Sequence, residues 1–316
     1  MKEPIPPVDR ALLRQELTEE RFVRHTNFGG NHIYLVNHHN APHTVREIGR
    51  LREISFRSAG GGTGLEIDLD DNDTCENCYD QLIAWHPEDE EVMAGYRLIE
   101  CAKAGVNEHG EPNLSTLHLF KFSERFKSEY LPNTIELGRS FVQPMYQPGA
   151  GGRKGLFSLD NLWDGLGAYV LLRPEIKYLF GKVTMYPHFD KTGRDMLLYF
   201  MHRYFPDRED LVTPIRPLTY HGSTEAFEKE FEGLDYKEGY KVLNAALRAK
   251  GENIPPLINT YMNLSPSMRT FGTAMNNEFG AVEETGILIT IADIYETKKG
   301  RHMDTFERDR TFRKKG

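Results

Sequence analysis

The order in which apolar segments of two different periodicities follow one another constrains the fold of this chain most strongly. Short runs rich in β-branched and aromatic residues predict strands, and these lie at 79–85, 91–99, Thr134–Val142 and Tyr178–Met185. Longer runs with an apolar residue every three to four positions predict helices, and these lie at Pro42–Ser58, 159–172 and 192–204. Strands interleaved with helices favour a mixed α/β fold around one sheet.

The organisation of the sequence changes near Pro206, Pro214 and Pro217. The pattern beyond them is mostly helical and returns to a strand at 286–294. A chain of 316 residues is long enough for one large domain or two small ones. We therefore predict a domain at 1–206 and a C-terminal region at 207–316 that packs on it.

Composition excludes several classes of function. The net charge of −8 argues against nucleic acid as the main partner. Cys75, Cys78 and Cys101 provide no disulfide framework, and the Cys75-x-x-Cys78 pair has no second pair to complete a metal site, so no metal is expected. No run approaches the roughly 18 apolar residues that span a bilayer, and the polar segment 1–10 lacks the apolar core of a signal peptide. We expect a cytoplasmic protein, with peripheral contact to the inner membrane left open.

Charged residues occur in a distinctive order along four segments. Arg52 and Phe56 stand four apart in a predicted helix and therefore share one face. They are followed by an acidic loop with Asp70 and Asp73, then by Arg97 at the second predicted strand. Segment 136–139 has the pattern Glu-x-x-Arg. Because a buried ion network is costly to desolvate, we expect these charges to serve a site, although they could also only hold the core together.

This order and its approximate spacing resemble those of the acyl-homoserine-lactone synthases, and more closely those of the ornithine-lipid type N-acyltransferases, which are often labelled hemolysins. The closer resemblance extends over about 45–294 and includes Leu162-Trp163-Asp164-Gly165-Leu166 and 178–184. Both families are GNAT-like acyltransferases. The resemblance implies a central, mostly antiparallel sheet with strands Thr134–Val142 and Tyr178–Met185 splayed apart, flanking helices, and a mainly helical C-terminal extension.

The resemblance also implies an activity. It is the transfer of a long 3-hydroxyacyl chain from acyl carrier protein to the α-amine of a small amino acid, glycine or ornithine, in amino-acid lipid synthesis. The phosphopantetheine thioester is then a donor substrate, and no cofactor is tightly bound. The implied partners are acyl carrier protein and the acceptor amino acid. A partner O-acyltransferase and transient contact with the membrane surface stay open.

Roles for individual residues follow from the matched motifs. Glu136 is the candidate general base and Arg139 supports the acidic loop; both are assigned as catalytic. The residues assigned to the acceptor are Arg52, Phe56, Asp70, Asp73, Arg97 and Ser140. The residues assigned to the acyl donor are Phe141, Val142, Gly151, Gly152, Arg153 and Trp163. Trp163 has an alternative interpretation as a packing residue of a core helix.

The glycine-rich segment 147–155 lies between a predicted strand and a predicted helix, where backbone amides can approach an anion. Ala150 stands where the pyrophosphate loop of GNAT proteins has its first glycine, which disfavours acetyl-CoA as the donor. A plain surface turn is the alternative interpretation of this segment. For the whole chain, the alternative functions are a membrane-lytic hemolysin, a non-catalytic module that binds acyl carrier protein, and an acetyl-CoA-dependent acetyltransferase.

Overall fold

The computed structural model describes residues 1–147 and 154–307. The chain divides into two compact units, each built from non-contiguous segments. The first contains Met1–Ser115, Leu131–Lys177 and the C-terminal segment from Tyr295, and the second contains Thr116–Tyr130 and Tyr178–Ile294. The predicted division into a domain at 1–206 and a C-terminal region at 207–316 stays a prediction.

The helices and strands of the described residues are these. The helices are α1 (Arg10–Glu16), α2 (Pro42–Ser58), α3 (Asp71–Thr74), α4 (Ser158–Leu171), α5 (Lys191–Tyr204), α6 (Thr224–Glu230), α7 (Tyr236–Ala249), α8 (Pro256–Met262) and α9 (Glu296–His302). The strands are β1 (Phe22–His25), β2 (His32–Val36), β3 (Asp80–His86), β4 (Glu91–Glu100), β5 (Phe120–Phe122), β6 (Thr134–Val142), β7 (Tyr178–Met185), β8 (Val212–Pro214), β9 (Arg269–Asn276) and β10 (Val282–Thr290).

The first unit has three layers, with helices on both faces of an antiparallel sheet in the order β1-β2-β3-β4-β6. Gln81 lies opposite Arg97 in the register of β3 and β4, and Arg52 of α2 contacts Gln81, so α2 covers that face. The next residue, Leu82, points to the other face. There Gly165 of α4 approaches so closely that a Cβ on it would lie 3.1 Å from Leu82. The predicted mixed α/β fold with an antiparallel sheet is therefore confirmed.

The second unit combines an antiparallel sheet in the order β7-β10-β9 with the short pair β5-β8. Its core is aromatic, with Phe120, Phe126, Phe180 and Phe200 fully buried. The helices expected after residue 207 are present, and the strand expected at 286–294 is β10, which begins four residues earlier. Strand β9 was not predicted, because its burial does not alternate and its glycine interrupts the apolar pattern.

Among the helices of the described residues, none is both long enough and apolar enough to cross a bilayer.

Candidate active site

A buried ion pair between Arg52 and Asp73 organises the acidic loop. Nη2 of Arg52 lies 2.7 Å from Oδ2 of Asp73, and Nη1 donates to Oδ1 at 3.1 Å, so the contact is bidentate. Local structure also fixes Asp73, because it forms a capping box with Asp70 at the start of α3. The backbone N–H of Asp70 donates to Oδ2 of Asp73 at 3.1 Å. Helix α2 and the acidic loop are thereby locked together.

Two further arginines extend this pair into a network. Nη1 of Arg97 on β4 lies 2.7 Å from Oδ1 of Asp70 and 3.1 Å from Oδ2 of Asp73. Nε of Arg139 on β6 lies 3.0 Å from Oδ2 of Asp68. Three arginines thus face three aspartates and their charges balance. The side chain of Asp70 is 36% exposed and that of Arg139 is 15% exposed, so these two form the accessible edge of an otherwise buried network.

The network keeps the carboxylate of Asp73 ionised. Burial by itself would raise the pKa of Asp73, but the guanidinium groups of Arg52 and Arg97 hold that pKa well below its ordinary value. Burial would lower the pKa of Arg97, but the carboxylates of Asp73 and Asp70 raise it. Removing one partner would leave the others as uncompensated buried charges, which is why such networks are sensitive to single substitutions.

Glu136 belongs to a second polar group beside this network. Its side chain is fully buried and accepts a hydrogen bond from the hydroxyl of Tyr79. The backbone N–H of Ser115 donates to Oε2 at 3.1 Å, and its hydroxyl donates to Oε1 at 3.2 Å. Burial and the Glu136 carboxylate raise the pKa of Tyr79 well above its ordinary value, so the phenol stays protonated and acts as a donor. The guanidinium carbon of Arg97 lies 4.9 Å from the centre of the Tyr79 ring, which joins the two groups.

A β-bulge in β6 determines where Arg139 points. Gly138 pairs with Arg97 and Phe141 pairs with Gly95, so two residues of β6, Arg139 and Ser140, stand opposite one residue of β4. Arg139 has φ +48°, in the left-handed region that costs about 1–2 kcal/mol for a residue with a Cβ. In a regular strand it would face away from the side on which Gly138 and Arg97 lie. The bulge lets it reach Asp68 on the face that α2 covers.

The other predicted site residues lie in varied surroundings. Phe56 is buried near the end of α2, and Phe141 is buried against Gly95 of β4. Ser140 and Val142 are half-buried in the second half of β6. Trp163 is buried in α4, on the opposite face of the sheet from the ion network. Gly151, Gly152 and Arg153 lie outside the described residues. The roles assigned to all of these residues stay predictions.

Sequence reasoning missed the partners of the assigned residues. Tyr79 and Ser115 donate hydrogen bonds to Glu136 from positions 57 and 21 residues away in the chain. Gln81 of β3 donates to Asp73 at 3.0 Å. No local pattern marks them, because their proximity depends on the register of β3, β4 and β6. Asp68 was visible within the acidic loop, yet nothing in its spacing singled it out as the partner of Arg139.

Within 1–147 and 154–307, no group of three or more His, Cys, Asp or Glu side chains is arranged to hold a metal ion. Cys75, Cys78 and Cys101 are free thiols.

The model of an acetyltransferase (GNAT) domain matches residues 51–153, which include Arg52, the acidic loop, β3, β4 and β6. A glycine N(alpha)-acyltransferase of Bacteroides thetaiotaomicron is 56% identical over 306 residues, covering 97% of this chain and 91% of the relative. A glycine N(alpha)-acyltransferase of Phocaeicola vulgatus is 51% identical over 306 residues, covering 97% of this chain and 94% of the relative.

Two solved structures also match this chain. The acyl-homoserine-lactone synthase LasI matches with a TM-score of 0.34 and 17% identity, covering 49% of this chain and 74% of its own. FeeM, an N-acyl amino acid synthase from uncultured soil microbes, matches with a TM-score of 0.36 and 9% identity, covering 83% of this chain and 91% of its own. Both TM-scores are low, and neither likeness assigns a site or a function.

Proposed function

The chain belongs to the family of the glycine N(alpha)-acyltransferases and is therefore an acyltransferase, and we propose that it transfers a long 3-hydroxyacyl chain from acyl carrier protein to the α-amine of glycine. The observation that carries this proposal is the high identity to two glycine N(alpha)-acyltransferases over nearly the whole chain. The product would be an N-acylglycine, a precursor of amino-acid lipids. Ornithine is the alternative acceptor.

The accessible edge of the ion network suits the two ends of a small amino acid. The ammonium and carboxylate groups of glycine are separated by one carbon. Nη2 of Arg139 lies 3.9 Å from Oδ2 of Asp70, close enough for one small zwitterion to contact both side chains. We propose that Asp70 binds the ammonium group and that Arg139 binds the carboxylate, because guanidinium groups match the planar geometry of carboxylates. Arg52, Asp73 and Arg97 hold this pair in place from the buried side.

The proposed reaction has no covalent enzyme intermediate. The ammonium group of glycine loses a proton, for which Glu136 is the candidate base. The neutral amine attacks the thioester carbonyl, and the oxyanion that forms needs hydrogen-bond donors. The tetrahedral intermediate collapses to an amide and a thiolate, and the thiolate takes up the second proton released by the nitrogen. We propose that the phosphopantetheine arm lies beside Phe141 and Val142 of β6.

The reaction can be tested with 3-hydroxypalmitoyl acyl carrier protein, offering each amino acid in turn and measuring free carrier thiol and product mass. Thiol release with glycine and an amide of the expected mass would support the proposal. An amide with ornithine instead would change the acceptor. Consumption of acetyl-CoA alone would point to an acetyltransferase, and carrier binding without turnover by any acceptor would favour a binding module.

A second proposal, which can be tested separately, concerns where the product is released. An N-acylglycine with a long chain is amphiphilic, so we propose that the protein releases it at the surface of the cytoplasmic membrane, where a partner O-acyltransferase could use it. Co-sedimentation with anionic vesicles would support this contact, and its absence would contradict it. Leakage from dye-loaded vesicles at the same protein concentration would instead favour the membrane-lytic alternative.

A further inference from the structure

Glu136 is placed so that a substrate amine cannot touch it directly. Its side chain has no exposed surface, and Oε2 is occupied by the hydroxyl of Tyr79 and the backbone N–H of Ser115. The remaining oxygen, Oε1, accepts from the hydroxyl of Ser115 at 3.2 Å. Ser115 itself is only half-buried. The residue that contacts Oε1 is therefore more exposed than the carboxylate itself.

An open space adjoins the Ser115 hydroxyl. Apart from its chain neighbours, a Cβ on Gly138 would have one described atom within 4 Å, which is Oγ of Ser115 at 3.9 Å. Gly138 follows Glu136 by two residues on β6, so both lie on the same face of the sheet. Gly138 pairs with Arg97 of β4. The space over Gly138 is thus bordered by the serine hydroxyl. Gly138 is bonded to Arg139, and its partner on β4, Arg97, donates to Asp70 at 2.7 Å.

From this arrangement we infer that Ser115 is a catalytic residue, whose hydroxyl relays the proton of the acceptor amine to Glu136, and that Tyr79 is a positioning residue for the carboxylate. The inference rests on the proposed function. The N–H bond of the ammonium group breaks as its proton passes to Oγ of Ser115, while the serine proton passes to Oε1 of Glu136. The amine is left neutral, and the serine hydroxyl has gained one proton and given up another. Glu136 stays protonated until it returns the proton to solvent.

The contacts around Glu136 hold its carboxylate in one orientation. Tyr79 and the Ser115 backbone bind Oε2, and the serine hydroxyl donates to Oε1. The backbone N–H of Ser115 also donates to the Tyr79 hydroxyl at 2.9 Å, which fixes the loop that carries the serine. Space over Gly138 admits an acceptor amine, and any side chain there would occupy part of it.

The test compares Ser115→Ala, Ser115→Thr and Tyr79→Phe with the wild type in glycine-dependent amide formation across a pH series. For Ser115→Ala we expect kcat to fall about 100-fold with KM for glycine within about threefold, because a relay acts on the proton transfer and not on binding. Ser115→Thr keeps a hydroxyl and should restore most of the rate. Tyr79→Phe removes a donor to the charged carboxylate, so the acid limb of the pH profile should move to higher pH. Retention of kcat within threefold in a folded Ser115→Ala variant would overturn the relay.

A second variant keeps the inference testable if Ser115→Ala does not fold. Gly138→Ala places a methyl group at ordinary contact distance from Ser115 and should preserve the fold. We expect it to lower kcat/KM for glycine at least tenfold, an effect of the size that misplacing a reacting group produces. Gly222→Ala, at a glycine with open surroundings in the second unit, is the control. Unchanged kinetics in Gly138→Ala would contradict the inference. Failure of the wild type to form any amide would instead refute the proposed function.

Discussion

Arg52 and Asp73 form a bidentate ion pair in which both side chains are completely removed from solvent. The pair connects helix α2 to the acidic loop, and Arg97 of β4 bonds to the same aspartate from the sheet. Three elements far apart in sequence therefore meet at one carboxylate. A loop that is anchored in this way can present Asp70 and Arg139 at a defined separation.

Replacing Asp73 by Ala should destabilise the protein strongly, since two buried guanidinium groups would lose their shared partner. Breaking a buried pair from one side costs about 3–5 kcal/mol of unfolding free energy. Denaturant unfolding of Asp73→Ala and wild type measures this difference. Asp71→Ala is the matched control, because Asp71 is exposed in the same turn. A loss below 1 kcal/mol in Asp73→Ala would show that the network does not hold the loop.

Stability should also depend on Asp73 at acidic pH. The folded-state pKa of Asp73 is held below its value in the unfolded chain, which is about 3.9. Its contribution is therefore fully present above the unfolded value and is lost as the pH falls below about 4. Midpoints of denaturant unfolding at pH 7, 5, 4 and 3 measure this loss. Asp73→Asn should show a shallower decline in that window, although Glu53, whose pKa is also lowered, would still contribute. Equal declines in both proteins would contradict the assignment.

The assignment of Glu136 as the base makes a kinetic prediction. Glu136→Gln keeps the size of the side chain and removes its basicity, so turnover should fall by about two to four orders of magnitude. Thiol release from the acyl donor in the presence of glycine measures the rate. Glu129→Gln is the control, because Glu129 is an exposed partner of Arg125 and such pairs contribute little. A loss smaller than threefold with an intact fold would leave Glu136 with a structural role alone.

Much of the fold could be predicted from local patterns. The bounds of α2, β6 and β7 follow directly from apolar periodicity and agree with the structure. The contacts of the site depend on sheet register and on the one-residue bulge at Arg139, which no local pattern encodes. The resemblance of motifs identified Glu136 and Arg139 because they lie three apart. Tyr79 and Ser115 escaped notice because their relation to Glu136 exists only after β3, β4 and β6 have paired.

The contact between helices α9 and α4 provides the last prediction. Nδ1 of His302 lies 2.8 Å from Oδ1 of Asp164, and Asp164 also accepts from the backbone and side-chain nitrogens of Asn27 at 2.8 and 2.7 Å. His302→Ala would leave a buried carboxylate short of one donor, which costs about 1–3 kcal/mol. Thermal unfolding should register this as a lower Tm, while His109→Ala, at an exposed histidine, should leave Tm unchanged. Because the contact is remote from Glu136, kcat for glycine should change less than twofold below the melting range. An unaltered Tm in His302→Ala would mean that α9 is held by its other contacts, such as the ion pair of Arg301 with Asp160, and not by this hydrogen bond.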